Sequence, residues 1–410
     1  MSGILFLAHR VPFPPDRGDK IRSHHVLKAL AELAPVHVAC LAETIADKAC
    51  EAELREVAAT SCMPMRNRPL ALAGLEAMAR REPVSLAAFR HPALAAWVAR
   101  TLEAREIDTI YVFSGQMGQY VPADWAGRLV VDIVDVDSAK FEAYAAEQRG
   151  PMAWVNAREA RLLRREEARL ASRADHTLLV SEAEAALFRS RLPPQTRARV
   201  HWLGNGIDAD AFDPVRVAPH AALATDGPHL LFTGQMDYPP NVAAARRAIE
   251  RLMPRLLARH PTARFHVVGR APAPELLALE GVNGARIWGE VPDVRPFLAA
   301  ADLMLAPLTI ARGVQNKVLE AMAMARAVVL TSEAASGIRG EDGTHFAVAD
   351  SDDECVRRTL ALLGDRATAR RIGESARRLV VATMSWPAML TRLAAFVGRA
   401  PEPGIRRDAA

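Results

Sequence analysis

A lysine and a glutamate stand three residues apart at the start of a helix that the sequence predicts in the second half of the chain. The segment 305–330 reads as a strand, a loop, a helix over about 314–324 and a second strand. Lys317 and Glu320 then share one face of that helix. The amides and dipole of a helix start favour an anion, and the lysine adds a point charge suited to phosphate. A carboxylate one turn on accepts two hydrogen bonds from a sugar diol. The pair suits a ribose with a diphosphate, and equally a surface ion pair.

Single glycines follow three of the predicted strands, at Gly18, Gly234 and Gly269. The dinucleotide fingerprint needs three glycines between one strand and the next helix, and no Gly-Lys-Ser/Thr phosphate loop occurs in the chain. NAD, FAD and P-loop nucleotide binding are therefore disfavoured, and we expect no bound cofactor. Gly18 precedes a helix, so backbone amides there can approach a diphosphate without an intervening side chain. A plain turn before a helix is the alternative.

These residues are positioned by strands and helices that alternate along the chain. In the first half the strands fall near 3–8, 35–42, 108–113, 128–134 and 176–180, with a long helix over 153–174. In the second half they fall near 229–234, 263–269, 285–288, 302–306 and 327–330. Such alternation predicts parallel sheets with helices on both faces, and ligands bind outside the carboxyl ends of their strands.

The two series of strands indicate two domains. The segment 203–208 clusters Gly, Asn and Asp between them and reads as a connector, with a lid loop inside one domain as the alternative. A chain of 410 residues also exceeds what one core usually supports. We predict an α/β protein with two doubly wound, Rossmann-like domains facing a central cleft. The predicted boundaries are 1–205 and 206–384, with a C-terminal helix over 385–400 crossing back to the first domain and a disordered tail over 401–410.

Composition restricts the compartment and the partners. The chain is 50% apolar and 24% charged, and its net charge of +4 is spread over both halves. A nucleic-acid binder would concentrate its basic residues on one domain or stripe, so we expect no nucleic-acid partner. The four cysteines lack the spacing of a disulfide framework or a redox pair. No apolar run of about 18 residues and no signal-peptide pattern is present, so the sequence predicts a cytoplasmic protein.

Six short motifs, spaced over nearly the whole chain, occur in an order typical of one family. They are Pro14–His25, Val180–Glu182, Gly204–Asp208, Phe232–Asn241, Val267–Arg270 and Gly313–Ala323. On these motifs the chain resembles the retaining glycosyltransferases of family 4, which have the two-domain GT-B fold. More narrowly, it looks like the sugar transferases of bacterial exopolysaccharide loci of the PEP-CTERM/exosortase type, on the stretches Gly-Gln-Met-Asp-Tyr-Pro-Pro-Asn and Gly-Val-Gln-Asn-Lys.

The resemblance implies a UDP- or GDP-linked sugar donor held mainly by the second domain, which makes the first the acceptor-side domain. Glu320 falls on the family's ribose-binding glutamate, and Gly18 on the glycine whose amide approaches the donor's phosphate or sugar. Gly289 and Val291 lie in the stretch that meets the base. The other residues expected around the donor are Gly234, Gln235, Asn241, Gly269, Arg270, Arg312, Gly313, Asn316 and Lys317.

The chain departs from the family pattern at the diphosphate and at the donor sugar. The usual Glu-x7-Glu pair has Arg312 at its first position, so the carboxylate expected to touch the donor sugar is absent. The Arg and Lys that commonly bind diphosphate after the first strand of the second domain are replaced by Gln235 and, approximately, Asn241. We hypothesise that Lys317, together with Arg312, binds the diphosphate instead.

The mechanism that the resemblance implies needs few protein groups. Breaking the anomeric C–O bond puts charge on the leaving diphosphate, so cations and amides aimed at it lower the barrier. In the family the configuration is retained and the acceptor attacks from the leaving-group face, so no separate base is required. Asp135, near the end of a first-domain strand, is the residue expected to contact the sugar or acceptor. The residues predicted to act on the reacting groups are Gly18, Asp135, Lys317 and Glu320.

Metal ligation is not expected. Asp135-Val-Asp137 is a D-x-D string of the kind that binds a divalent metal in another glycosyltransferase fold, but two acids in three residues recur by chance. The two-domain pattern also argues against that other fold. The paired histidines His24-His25 and the isolated His176 have no partner at ligand spacing, and neither do the cysteines. Solvated or core roles are favoured for all of them.

Several partners and two other functions stay open. A glycan or a lipid-linked molecule would be the acceptor of the expected transferase. Trp154 and the arginine-rich helix 153–174, with the segment 70–97, could rest on the anionic inner membrane or meet such an acceptor, although a solvated helix is favoured. The alternatives to a transferase are a non-hydrolysing GT-B epimerase of nucleotide sugars and a non-enzymatic, two-domain sugar-binding protein.

Overall fold

A computed structural model describes residues 2–311 and 314–399. They fall into two compact units, the first made of residues 2–205 with 389–399, and the second of residues 206–311 with 314–388. Each unit contains one parallel sheet with helices between successive strands, as the alternating pattern predicts. The first break lies between Asn205 and Gly206, and the second follows Ala388, beyond the predicted limit at 384.

The first unit is built on seven parallel strands in the order β3-β2-β1-β4-β5-β6-β7. They are β1 (Gly3–Ala8), β2 (Val36–Cys40), β3 (Thr60–Cys62), β4 (Ile107–Phe113), β5 (Arg128–Val134), β6 (His176–Leu179) and β7 (Val200–Trp202). Every residue of β1 and β2 is buried, because helices cover both faces of the sheet and require continuous apolar strands. The strand order reverses between β1 and β4, the position at which such sheets bind ligands.

Nine helices surround this sheet within residues 2–205. They are α1 (Gly18–Ala31), α2 (Ile45–Ala49), α3 (Glu51–Val57), α4 (Leu70–Arg80), α5 (Val84–Ala88), α6 (Pro92–Ala104), α7 (Asp137–Glu147), α8 (Pro151–Arg173) and α9 (Glu182–Arg191). A short 3-10 helix spans Gly115–Tyr120. Side-chain caps start several of the helices: the Ser181 hydroxyl accepts from the Glu184 amide at α9, and Thr44 and Asp47 form a capping box at α2.

The second unit is built on six parallel strands in the order β10-β9-β8-β11-β12-β13. They are β8 (His229–Thr233), β9 (Arg264–Val268), β10 (Ala285–Gly289), β11 (Leu303–Ala306), β12 (Ala327–Leu330) and β13 (Ala347–Val348). Its helices are α10 (Pro239–Arg247), α11 (Met253–Leu257), α12 (Pro274–Leu277), α13 (Arg295–Ala300), α14 (Asn316–Ala323), α15 (Ser332–Ala335), α16 (Asp352–Gly364) and α17 (Arg366–Thr383), with a π-helical turn over Ala248–Leu252 and 3-10 turns over Ala221–Leu223 and Val282–Gly284. One continuous apolar core joins this sheet to its helices.

The C-terminal segment differs from its prediction. Instead of one helix over 385–400, the structure has two short helices, α18 (Trp386–Met389) and α19 (Leu393–Phe396), separated by a turn. Leu390, Leu393 and Val397 are nevertheless all buried, but the prediction of one continuous helix is wrong. The predicted tail, 401–410, lies outside the described residues. The strands β3, β7 and β13 are short additions that the sequence did not predict.

Candidate functional site

A pocket of about 460 Å³ opens at the carboxyl end of the second sheet. Its lining comes from the ends of β8 and β9, the loop after β10 and the first turns of α14. These are the positions at which a doubly wound sheet presents backbone and side chains to a ligand. Nine of its fifteen lining residues are polar or charged, so the pocket offers many hydrogen-bond partners to a ligand.

Two glycines let the loops after β8 and β9 touch. Gly234 and Gly269 have φ angles of +150° and +156°, which residues with a side chain rarely adopt. A Cβ atom on Gly269 would lie 1.6 Å from the Gly234 carbonyl oxygen, so no side chain fits there. The Gly269 amide also donates to the carbonyl oxygen of Gly289, at 2.8 Å. The wall of the pocket is therefore bare backbone with a fixed conformation.

Lys317 is held at the pocket by neutral partners. Its Nζ donates to Oδ1 of the buried Asn241 at 2.9 Å and to Oε1 of Gln315 at 3.3 Å, and lies 5.6 Å from the centre of the Phe232 ring. Asn241 is itself fixed, because its Nδ2 donates to the Gln235 carbonyl oxygen at 2.8 Å. Burial lowers the pKa of Lys317, and the nearby Glu320 carboxylate opposes that shift. The ammonium group is thus positioned without a hydrogen-bonded carboxylate to neutralise it.

Glu320 lies one helical turn further along α14 and also lines the pocket. No hydrogen bond from the described residues reaches its carboxylate, whose acceptor oxygens stay available to a ligand. Burial raises the pKa of Glu320 to about 7, and the charge of Lys317 only partly offsets that rise. At the start of the same helix Gln315 provides no side-chain cap; the Val318 and Leu319 amides donate to its carbonyl oxygen, which leaves those of Asn316 and Lys317 for a ligand. The Lys317 ammonium and the amides at the start of α14 can bind an anion, and the Glu320 carboxylate can bind a diol.

The structure brings most of the residues predicted around the donor into this one pocket. They are Gly234, Gln235, Asn241, Gly269, Arg270, Val291, Asn316, Lys317 and Glu320. Arg270 is exposed and donates from Nη2 to Oε1 of Gln235 at 3.0 Å. Gly289 does not line the pocket and only supports Gly269 through its carbonyl oxygen. Arg312 and Gly313 lie outside the described residues, and the individual roles of all these residues stay predictions.

Gly18 and Asp135 belong to the first unit, so they are not part of this pocket. Gly18 is the first residue of α1, and a Cβ atom there would meet no described atom within 4 Å. Asp135 is exposed, directly after Val134 at the end of β5. Val134 has a φ of +71°, a strained value for a β-branched residue and one that often marks functional sites. The strained backbone marks this edge of the sheet as a candidate functional site. The role of Asp135 stays a prediction.

Asp137 is a residue that the sequence interpretation passed over in favour of Asp135. It begins α7, is half-buried, and accepts a hydrogen bond from Nε2 of Gln116 at 3.3 Å. Burial raises its pKa and the charge of Asp135 raises it further, against the opposing effects of Lys140 and Gln116. The D-x-D string singled out both acids, and the structure leaves Asp135 exposed and Asp137 half-buried.

An ionic cluster fixes the loop between β1 and α1. Oδ2 of Asp19 accepts from Nη1 of Arg10 at 2.6 Å and lies 3.2 Å from Nε2 of His9. Burial favours the neutral form of Asp19, but the hydrogen bonds from His9 and Arg10 prevail and hold its pKa well below the usual range. Glu43 accepts from Arg10, Arg17 and Arg66, which lowers its pKa to about 2 in spite of burial. The sequence interpretation did not single out this cluster, which positions Gly18.

Lys20 shows a structural use of a lysine beside the same loop. It is 3% exposed, and its Nζ donates to Oδ1 of Asp47 at 2.6 Å and to the Phe13 carbonyl oxygen at 3.3 Å.

Over residues 2–311 and 314–399 no grouping of His, Cys, Asp and Glu has the arrangement of a metal site. Within the same residues no helix is long and apolar enough to cross a bilayer.

Comparisons with known proteins agree with the pocket's position. Residues 227–365, which include every described residue of its lining, match the family model described as "Glycosyl transferases group 1". No curated protein sequence matches the chain. The family match therefore concerns the second unit and about a third of the chain.

Solved structures resemble the chain over nearly its whole length. Anabaena HepE in complex with UDP and glucose is 16% identical, with a TM-score of 0.59, over 98% of this chain and 100% of that one. Sucrose-phosphate synthase from Thermosynechococcus elongatus is 16% identical, with a TM-score of 0.57, over 96% and 98%. WaaG, a glycosyltransferase involved in lipopolysaccharide biosynthesis, is 18% identical, with a TM-score of 0.56, over 96% and 100%. At these identities the likeness shows the fold, which is GT-B, as the resemblance implied.

Proposed function

We propose that this protein is a glycosyltransferase that takes a sugar from a nucleoside-diphosphate donor bound in the pocket of the second unit. The observation that carries the proposal is the arrangement on α14. A cation held by neutral amides and a carboxylate without a hydrogen bond stand one turn apart at an uncapped helix start. This arrangement lies inside the segment that matches the glycosyltransferase family model.

Each group has a distinct part in the proposed reaction. The Nζ of Lys317 contacts the diphosphate and stabilises the charge that develops on it as the anomeric C–O bond breaks. The carboxylate of Glu320 accepts hydrogen bonds from the ribose hydroxyls, and it does so best when it is ionised. Lys317 replaces the arginine and lysine that the family commonly places after the first strand of this domain. Arg312 is proposed to assist it.

The finer features of the activity rest on the resemblance. We propose that the configuration at the anomeric carbon is retained, with the acceptor attacking from the leaving-group face. A UDP-linked donor is the first to test, because HepE was crystallised with UDP and glucose, and a GDP-linked donor is the second. A glycan or lipid-linked acceptor in bacterial exopolysaccharide synthesis is proposed from the sequence motifs.

The proposal is tested by thermal shift with UDP, GDP, ADP, NAD and free sugars. One nucleoside diphosphate is expected to raise the melting temperature of the wild type, since a ligand present at a hundred times its dissociation constant stabilises by about 2.7 kcal/mol. Glu320→Ala and Lys317→Ala should each lose most of that shift. Glu275→Ala, at an exposed position of α12 away from the pocket, is the matched control and should keep it.

The outcomes separate the candidate functions. A shift with sugar but no nucleotide would favour the binding protein, and no shift with any nucleotide would contradict a donor site on α14. If a nucleotide binds, product analysis with the matching nucleotide sugar distinguishes a transferase from an epimerase, because an epimerase needs no acceptor. Wild-type affinity in Lys317→Ala would contradict the diphosphate role of that residue.

A further inference from the structure

The helix α4 exposes its large apolar side chains to solvent and buries alanines instead. Its buried face consists of Ala73 and Ala77, which pack with two alanines of α5. The opposite face exposes Leu72, Leu75 and Met78, with 54%, 69% and 50% of their surfaces accessible. Burying a leucine or methionine stabilises a protein, and this helix leaves that stabilisation unused. Large apolar side chains grouped on one exposed face mark an interaction surface.

The neighbouring helix α8 separates its charges by sign. Arg161 and Arg165 are exposed on the same face as Trp154, which is 59% exposed. The acids Glu159 and Glu167 are buried on the other side, where Glu159 accepts from the amides of Val84 and Ser85 and Glu167 from that of Ser138. Arg161 and Arg165 form no ion pair with any described residue. The outer face of α8 is therefore basic, with an aromatic residue at its first turns.

The two helices are in contact at the end of α4. Nη2 of Arg158, in the first third of α8, donates to the carbonyl oxygens of Ala77 in the last turn of α4 and of Glu82 just after it, at 2.8 and 3.2 Å. Trp154 lies one turn before Arg158 on the same face. We call this region the α4–α8 surface; it comprises Leu70, Leu72, Leu75, Met78, Arg80, Arg81, Trp154, Arg161 and Arg165.

Acidic side chains near the α4–α8 surface are already neutralised. Glu76, the only acid of α4, accepts from Arg68 and Arg90 and lies beside Arg80. Glu82 accepts two hydrogen bonds from Arg90. The surface therefore presents apolar side chains rimmed by positive charge. A nucleic acid would leave the leucines without partners, whereas an anionic lipid surface matches both parts.

We propose that the α4–α8 surface docks on an anionic lipid bilayer, with the leucines, Met78 and Trp154 entering the headgroup region and the arginines contacting lipid phosphates. The proposal goes beyond glycosyl transfer and does not depend on it, since it concerns the first unit alone. Binding of this kind combines buried apolar area with attraction to anionic lipid, so it should weaken with salt and with loss of either component.

The test is co-sedimentation of the full chain with vesicles of phosphatidylcholine, alone or mixed with phosphatidylglycerol. The wild type should bind only the anionic vesicles, and less at high salt. Arg161→Gln with Arg165→Gln should weaken partitioning about thirtyfold, as expected for two basic residues near an anionic surface. Leu72→Ser with Leu75→Ser should weaken it by at least about tenfold.

Matched variants of the second unit control for general effects. Leu277→Ser removes an exposed leucine, and Arg259→Gln with Arg366→Gln removes two exposed arginines, away from the α4–α8 surface. These controls should bind anionic vesicles as the wild type does. Trp154 supplies a second measurement, because its fluorescence should shift to the blue on vesicle binding and the shift should disappear in Trp154→Phe.

Three results would overturn the proposal. The first is wild-type protein that ignores anionic vesicles, and the second is an equal loss of binding in the controls. The third is a wild-type oligomer, or a complex with an acidic protein, that Leu72→Ser with Leu75→Ser disperses while vesicle binding is absent. Melting temperature and nucleotide shift in each variant show whether the fold and the second-unit site are intact, so failure here is distinguishable from failure of the proposed transferase.

Discussion

Charged residues stand at the carboxyl edges of both sheets, but they have different partners. In the first unit Asp19 and Glu43 accept from surrounding arginines, and the fully buried Asp132 accepts from Arg22 and from Tyr111. In the second unit Lys317 has only neutral partners. The comparison teaches that paired charges at the first edge maintain the structure, whereas unneutralised charges at the second remain available to a ligand.

The largest expected effect comes from breaking a pair of the first unit. Arg22 is 1% exposed and donates to Oδ2 of Asp132 at 2.9 and 3.1 Å. Arg22→Met leaves the buried carboxylate without its cation, which should cost about 3–5 kcal/mol of unfolding free energy in urea titrations. Arg55→Met removes an exposed i,i+4 pair with Glu51 and should cost under about 0.5 kcal/mol. A small loss of unfolding free energy in Arg22→Met would contradict the conclusion that paired charges maintain the structure of the first unit.

A smaller but still large effect is expected from the glycines of the two edges. Gly269→Ala places a methyl group against the Gly234 carbonyl, at a φ of +156°, and should destabilise the second unit by about 3 kcal/mol. Gly18→Ala meets no described atom and should change stability by less than about 1 kcal/mol. Thermal melts of the two variants measure the difference. Equal stability would show that the pocket wall is more adjustable than its contacts indicate.

The smallest expected effect concerns the ligand-binding charges of the second unit. It is a dependence of stability on pH that arises from Glu320. Burial raises the pKa of Glu320 to about 7 from the ordinary value of 4.5 for a glutamate. Between those values the folded state holds a proton that the unfolded state has lost, so this group's stabilisation is present below about pH 4.5 and is lost as pH rises to about 7. Stability should therefore fall with pH in the wild type relative to Glu320→Gln.

Nucleotide affinity should change in the opposite direction over the same range. An ionised carboxylate accepts from ribose hydroxyls better than a protonated one, so affinity should rise from about pH 6 to 8, by at most about tenfold per pH unit. Calorimetric titrations at several pH values measure it. The pH dependence should be absent in Glu320→Gln; its persistence there would show that another group controls binding.

The sequence predicted the elements better than it predicted the site. Alternating apolar segments located β1 and β12 at their observed bounds, because strands covered on both faces need uninterrupted apolar runs. The spacing of Lys317 and Glu320 indicated a shared helix face but could not distinguish a solvated ion pair from two half-buried charges that do not pair with each other. That difference depends on Asn241, 76 residues away, which holds the lysine through a contact that only the folded sheet creates.

The first unit shows what local patterns cannot express. Asp135 is exposed and Asp137 is half-buried, and both follow a strained turn at Val134 that no residue type there predicts. On α4 the apolar residues alone do not reveal which face packs, because alanines and leucines both satisfy a hydrophobic pattern. The cleft between domains, the cytoplasmic location and the choice of donor base stay predictions.

The route of the chain has a consequence for how the protein is made. Residues 389–399 return to the first unit, where Nη2 of Arg399 donates to the Ser2 carbonyl oxygen at 2.8 Å and to Oδ1 of Asp108 at 2.7 Å. The second unit is in effect an insertion, between Asn205 and Met389, within the first. During synthesis from the amino end, the ribosome completes the second unit before it delivers the last piece of the first. The second unit can therefore fold as a finished module while the first still lacks its closing segment.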